Sequence, residues 1–417
     1  MRAVCLLRAH ATLPGSGDAA AHLNRSTSAG HTPDGAASPR KIPHAGQPAT
    51  ELGDFMFNHH TALLTRISIA AASSLAVLSG TALAQGAPDC SVYPLASAAD
   101  PAALGWSGSD LAALDTRAEE LGSAALMIVQ DGEIVYSRGE IERPFLLHSL
   151  RKSVMSAMIG VLVDNGAITL DTTLAELEID DLPGLTETER SATVRDIITA
   201  RSGVYIASAA ETQAMADSRP ERGAYAPGEH WYYNNWDFNV AGHIFERVSH
   251  RTYNGAFQRM FAEPMCMQDW NAFGSYRFYA PGTAFPAYHL RISARDLALF
   301  GQLFLQDGQW NGEQLISAAW VADSTATHSQ TEWPGAWAGG YGYMWWKPAD
   351  DASAEAAGLA PDMYTGAGAG GHYLTVIPSR DMVIVHRMDT DQPGTPRLGM
   401  TAYGELLAEI LALGQPD

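Results

Sequence analysis

His148-Ser149-Leu150-Arg151-Lys152-Ser153 leads directly into Val154-Met155-Ser156-Ala157-Met158-Ile159-Gly160-Val161-Leu162. Val154, Met155, Met158, Ile159 and Leu162 recur at helical spacing, so this stretch predicts a buried helix that opens near Ser149 and closes around Asn165-Gly166. On such a helix Ser149 and Lys152 lie one turn apart on the same face, with the amine in reach of the hydroxyl. A serine hydroxyl attacks poorly until a neighbour takes its proton, and a lysine in apolar surroundings can do so. Ser149 is therefore the candidate nucleophile and Lys152 its partner. The helix start also offers free backbone N–H groups, including that of Ser149, to a developing oxyanion. Taken alone, the S-x-x-K spacing is common in helices, where it also describes a cap serine and a solvated lysine; the rest of the chain has to decide.

Working upstream, Ala124 to Gln130 and Glu133 to Tyr136 are two β-prone runs split by Asp131-Gly132, which predicts a hairpin beside the nucleophile helix. A helical stretch with Leu111, Leu114 and Leu121 precedes it. Further upstream, Arg66 is followed by Ile67-Ser68-Ile69-Ala70-Ala71-Ala72 and Leu75-Ala76-Val77-Leu78, ending in Ala82-Leu83-Ala84. A charged region, a short apolar run and an A-x-A site make residues 56–84 a secretory signal peptide, cleaved after Ala84. The run is too short and serine-interrupted for a membrane span, so no stable anchor is expected after cleavage. Residues 1–55, rich in Ala, Gly, Ser, His and Pro, read as a disordered upstream extension, with Met56 as the true start. The expected location is the periplasm or the exterior.

The 417 residues carry a formal net charge of −20, and residues 1–84 hold six Lys/Arg and four Asp/Glu, leaving the remainder near −22. Such a surface repels nucleic acid and anionic membranes. Of three cysteines, Cys90 and Cys266 remain after cleavage and are candidates for a disulfide in an oxidising compartment. With no C-x-x-C or H-E-x-x-H and with scattered histidines, no metal is expected.

Downstream, residues 165–285 carry helical segments such as Val194 to Thr199 and Asn239 to Val248 between Pro- and Gly-bearing loops. From Tyr288 follow an amphipathic helix with Ser293 as cap, a second hairpin (Tyr373 to Pro378 and Met382 to His386, around Ser379-Arg380-Asp381) and a terminal helix, Tyr403 to Leu413. Strands at both ends imply one sheet built from the two termini, with an α/β part at 85–147 and 286–417 and a helical insert at 148–285. Sites tend to lie at such junctions.

Two more stretches join the first. Trp231-Tyr232-Tyr233-Asn234-Asn235 contains Y-x-N, and Tyr364-Thr365-Gly366-Ala367-Gly368-Ala369-Gly370-Gly371-His372 precedes a strand. With Ser149-x-x-Lys152 in this order, the sequence resembles the class C β-lactamase and penicillin-binding protein superfamily and its related esterases, D-peptidases and amide hydrolases. Thr193-Val194-Arg195-Asp196-Ile197-Ile198, running on to Ser202-Gly203, and Ser293-Ala294-Arg295-Asp296-Leu297-Ala298 match two further blocks of that family. The resemblance implies an α/β fold, a three-layer sandwich with an antiparallel sheet flanked by helices and a mostly helical inserted subdomain.

It also implies roles. Tyr232 with Asn234 and Tyr233 with Asn235 compete for Y-x-N; the family's glycine falls seven residues after the asparagine, and Gly242 then selects Tyr233 and Asn235. A phenol beside an ammonium can have its pKa lowered, so Tyr233 would act as base for Ser149 and later as acid, while Asn235 would bind Lys152 or the substrate. The third motif departs from the lactamases, whose K-T-G or H-T-G meets a substrate carboxylate. Here it is Gly366-Ala367-Gly368, or in another register Tyr364-Thr365-Gly366, and neither carries a charge. In the first register Ala369 N–H joins Ser149 N–H in the oxyanion hole and Gly368 meets the substrate. His372, His289 or Arg291 would have to replace the missing cation. The expected activity is hydrolysis of a small, uncharged ester or amide through a Ser149 acyl-enzyme, without cofactor. A true β-lactamase or D-alanyl peptidase, or a catalytically silent penicillin-binding-like receptor, are the alternatives.

Overall fold

Asp131 and Gly132 both adopt positive φ, 51° and 76°, as a two-residue hairpin turn demands. They join strand β1 (Ala125–Gln130) to β2 (Glu133–Gly139). The computed structural model describes residues 89–333 and 335–414, which fall within one compact unit. The signal peptide, the extension before it and the cleavage site lie outside the described residues.

The β1–β2 hairpin is one end of an eight-stranded sheet, whose further strands in chain order are β3 (Ser329–Gln330), β4 (Gly340–Tyr341), β5 (Trp346–Lys347), β6 (Tyr364–Gly368), β7 (His372–Ile377) and β8 (Met382–Arg387). The spatial order is β2-β1-β8-β7-β6-β5-β4-β3, antiparallel throughout, so the last long strand closes on the first, with Ile128 opposite Ile384. β1, β7 and β8 are buried on almost every residue because helices cover both faces.

The five main helices are α1 (Gly108–Leu121), α2 (Arg151–Asp164), α3 (Asn235–Ser249), α4 (Ala294–Leu305) and α5 (Met400–Leu413). Helix α4, capped by Ser293 Oγ accepting from Asp296 N–H at 3.0 Å, packs on β1, β7 and β8. Helices α1 and α5 cover the opposite face: Tyr403 of α5 stacks on Tyr373 at 3.8 Å and shares a 2.7 Å hydrogen bond with Thr375, while Arg117 of α1 donates to Glu409 of α5. The result is a three-layer sandwich. Strands β3–β5 are two residues each, too short to leave a period-2 signature in the sequence.

Helix α2 is buried nearly all round, between α3, the short helix Ala318–Ser324 and β6. Between 165 and 285, α3 and several shorter helices are separated by long loops, with one short strand, Tyr276–Phe278, near the end. Strand pairing of Tyr276–Phe278 with Ala287–His289 crosses the boundary drawn at 285. Cys90 and Cys266 are joined, with Cα atoms 5.1 Å apart, tying the segment before α1 to the turn that follows the helical stretch 253–262.

Candidate active site

The helix behind Ser149 opens with a 3₁₀ turn, His148–Leu150, that runs directly into α2 at Arg151, with His148 at φ 50°. That turn, held by Leu147 N–H donating to Leu290 O, sets Ser149 at the mouth of α2 with its side chain free of any capping duty. One turn further, Lys152 projects back, and its Nζ lies 3.1 Å from Ser149 Oγ. The same nitrogen lies 2.7 Å from Tyr233 Oη and donates to Asn235 Oδ1 at 2.7 Å.

The two neighbouring tyrosines part company here, because successive side chains of an extended segment point to opposite sides. Tyr233 faces Lys152, whereas Tyr232 donates its hydroxyl to Met215 O at 2.5 Å. The asparagines divide likewise. Asn234 caps α3, accepting from Trp236 N–H and donating to Val204 O, while Asn235, the first residue of α3, bonds Lys152 and donates to Ala210 O. Ser149, Lys152, Tyr233 and Asn235 thus form one connected cluster drawn from two helix starts.

Burial controls its electrostatics. Lys152 is only 3% exposed, and desolvation, assisted by the charge of Arg151, holds its amine well below the usual lysine range. The rings of Tyr233 and Phe238, with centroids 4.1 and 4.2 Å from Nζ, act in the opposite sense and favour an ammonium. Tyr233 moves the other way: burial pushes its phenol up to about 12, against the opposing effects of the Ser149 hydrogen bond and Arg151. The expectation of a phenol acidified by a neighbouring ammonium is therefore corrected. Desolvation disfavours the charged form of Lys152, so its amine, rather than the phenol, is the group beside Ser149 whose affinity for protons is lowered.

The third wall is the end of β6. Tyr364 is buried against Trp345 and Phe304, and Thr365 Oγ1 is bonded to Thr375 Oγ1, so Tyr364-Thr365-Gly366 faces the core. Ala367, Gly368 and Ala369 instead line the cavity above Ser149. Glycine is required here by proximity. A Cβ at Gly368 would sit 2.2 Å from Leu147 O, and one at Gly366 would sit 2.9 Å from Ser153 Oγ. The strand thereby comes against the Ser149 turn, and neither the Ser149 nor the Ala369 N–H is matched with an acceptor among the described residues.

Of the three residues considered as substitutes for the missing cation, two are occupied elsewhere. His372 is fully buried outside the cavity wall, with Nε2 3.0 Å from Thr390 Oγ1 and Nδ1 accepting from Arg387 Nε at 3.1 Å. Desolvation and Arg387 keep it neutral, so its place in substrate binding is corrected to a support behind the turn. Arg291 makes a two-pronged pair with Asp391 at 2.7 Å. Only His289 lines the cavity.

The cavity measures about 500 Å³ and its walls include Trp333, Trp346, Met215, Leu398 and Met400, together with Arg151. None of these was singled out from the sequence. The tryptophans reach the site through strand pairing and loop placement, which no local pattern encodes. Arg151 stood inside the S-x-x-K motif, but its side chain could have pointed anywhere on α2.

A family model described as Beta-lactamase matches residues 111–409. The fold is similar to a beta-lactamase from Mycobacterium bovis (20% identity, 72% of this chain and 97% of that one, TM-score 0.50). It is also similar to a penicillin-binding protein homologue from Caulobacter crescentus (16% identity, 74% and 98%, TM-score 0.52) and a penicillin-binding protein from Bacillus halodurans (17% identity, 72% and 98%, TM-score 0.52). No curated protein matches the sequence. The match over residues 111–409, on a sheet and helices of this arrangement, identifies the chain as a member of the Beta-lactamase family.

Proposed function

We propose that this chain is an exported serine hydrolase that cleaves an ester or amide through an acyl-enzyme on Ser149. The observation that carries the reading is the buried Lys152 amine, 3.1 Å from Ser149 Oγ and within 2.7 Å of both Tyr233 and Asn235. Lys152 takes the Ser149 proton as Oγ bonds to the substrate carbonyl carbon, and Asn235 Oδ1 orients the amine. Charge developing on the carbonyl oxygen meets the Ser149 and Ala369 N–H groups. As the tetrahedral carbon collapses, the leaving oxygen or nitrogen receives a proton through the Lys152–Tyr233 pair, and water then releases the acyl group by the same path reversed. The Cys90–Cys266 bridge supports an oxidising location.

The test is reaction of purified protein with a fluorophosphonate probe, followed by a panel of short-chain esters, β-lactams and D-peptides. Wild type should be labelled on Ser149 and Ser149→Ala should not, with turnover falling by about a millionfold where the site acts as a unit. An Ala variant within tenfold of wild type would remove Ser149 from the mechanism.

A further inference from the structure

Arg151 is 5% exposed and lines the cavity beside Ser149. Its guanidinium has five N–H donors, yet the single hydrogen bond it makes among the described residues is a 3.3 Å contact to His148 O. Among the described residues no Asp or Glu forms an ion pair with it, and the side chains that favour its charge are Tyr253, Tyr233 and Tyr276. Three neighbouring arginines are satisfied: Arg291 by Asp391, Arg143 by Asp389, and Arg387 by His372 and backbone carbonyls; Arg397, beside the turn after β6, is solvent-exposed and so does not bear the cost of burial. A buried cation without a counter-ion costs several kcal/mol, so a site that keeps one is built for an anion that arrives from outside.

Two further observations point into the same space. His289 also lines the cavity, is 9% exposed, and its Nδ1 is buried without a hydrogen-bond partner among the described residues. It is held neutral, with a pKa pushed down to about 3 by burial and then by Arg151, so it can offer an N–H without adding charge. Among the described residues the cavity walls contain no carboxylate, although the chain has 46 Asp and Glu against 26 Lys and Arg. A cleft free of acid on an acidic protein is a local well for negative charge.

We propose that Arg151 and His289 form a carboxylate-binding subsite, so that the substrate is an ester or amide bearing a carboxylate close to the scissile carbonyl. This rests on the hydrolase reading for its substrate class. It replaces the expectation of an uncharged substrate, which followed from the missing charge at Gly366. The charge is supplied instead from the residue preceding Lys152, on the helix rather than on the strand.

Two matched substrate pairs test it, one with the charge on the acyl side (mono-4-nitrophenyl glutarate against 4-nitrophenyl valerate) and one with it on the leaving side (3-acetoxybenzoate against phenyl acetate). In at least one pair the anionic member should be preferred. Arg151→Met should then cut its kcat/KM by about ten- to a hundredfold relative to the neutral member, the usual worth of a charge-assisted hydrogen bond. Because Arg151 also acts on Lys152, an equal fall for both members would mean an effect on the amine alone and would overturn the subsite. So would a preference for the neutral ester in both pairs. Arg151→Lys keeps the charge but not the fork and should retain part of the preference; it serves if Arg151→Met melts early. Glutarate binding to Ser149→Ala protein, followed by calorimetry and abolished by adding Arg151→Met, is a readout independent of turnover. Binding that depends on Arg151 in a protein no fluorophosphonate labels would sustain the subsite and reject the hydrolase. Turnover without anion preference or glutarate binding would do the reverse.

Discussion

Replacing Gly368 by alanine should disable the site through a displacement that can be sized. A Cβ at this position lies 2.2 Å from Leu147 O, a backbone atom that no side-chain rotation can move aside. Carbon and oxygen rest about 3.3 Å apart even in a close C–H···O contact, so the end of β6 and the Ser149 turn must separate by roughly 1 Å. Overpacking of this kind typically costs about 1–3 kcal/mol of stability. The activity cost is larger in proportion, because Ala369, the next residue, carries a proposed oxyanion donor, and a misplacement of about 1 Å can cost on the order of a hundredfold. Gly366→Ala grades the argument: its Cβ would lie 2.9 Å from Ser153 Oγ, a hydroxyl that can turn away at the expense of its 2.8 Å bond to Met344 O. Gly108→Ala, with nothing within 4 Å, is the control for glycine replacement as such. Ester turnover and thermal melting of the three variants should rank Gly368→Ala as most damaged, Gly366→Ala as intermediate and Gly108→Ala as equal to wild type. A Gly368→Ala enzyme within threefold of wild type at an unchanged melting temperature would refute the close approach of strand and turn.

Three other expectations are independent of that one. Because the working form of Lys152 is the neutral amine and its folded pKa is depressed, kcat/KM should be full well below the ordinary lysine range and fall only as pH drops through the lowered value; activity that appears only near pH 10.5 would contradict the desolvated amine. Tyr233→Phe should cripple acylation, whereas Tyr232→Phe removes a bond to Met215 O and should cost at most about 1.5 kcal/mol of stability with turnover within tenfold; the opposite ranking in single-turnover kinetics would exchange their roles. Cys90→Ser should lower stability to denaturant by about 2–5 kcal/mol while leaving probe labelling of Ser149 intact, and an unshifted denaturation midpoint would show that the bridge does not stabilise the fold.

Much of the architecture was written locally. Asp131-Gly132 announced the first hairpin because both turn residues need positive φ, and Ser293 announced α4 because a helix start needs an oxygen for its free N–H groups. Ser149 and Lys152 were legible as a pair since their relation is one helical turn, and the apolar run after them already implied desolvation of the amine. Tyr233 over Tyr232 followed from the family's spacing, a comparison between sequences rather than a property of either tyrosine.

The remainder was decided by contacts that span the chain. The Tyr233 phenol is raised because its burial outweighs the Ser149 hydrogen bond and Arg151, and that burial depended on how distant parts of the chain close around it, so a rule about adjacent charges pointed the wrong way. His372 looked available from its place beside the glycines, yet β7 turns it towards Arg387 and Thr390. Sequence alone determined which residue types the chemistry has at its disposal and which of them share a helix turn, because those relations are set by backbone periodicity. Which buried charges find a counter-ion, and hence that Arg151 is left facing the cavity without a carboxylate partner among the described residues, was decided only by the tertiary structure, because the energy of a buried ion depends on every group packed around it rather than on its neighbours in the chain.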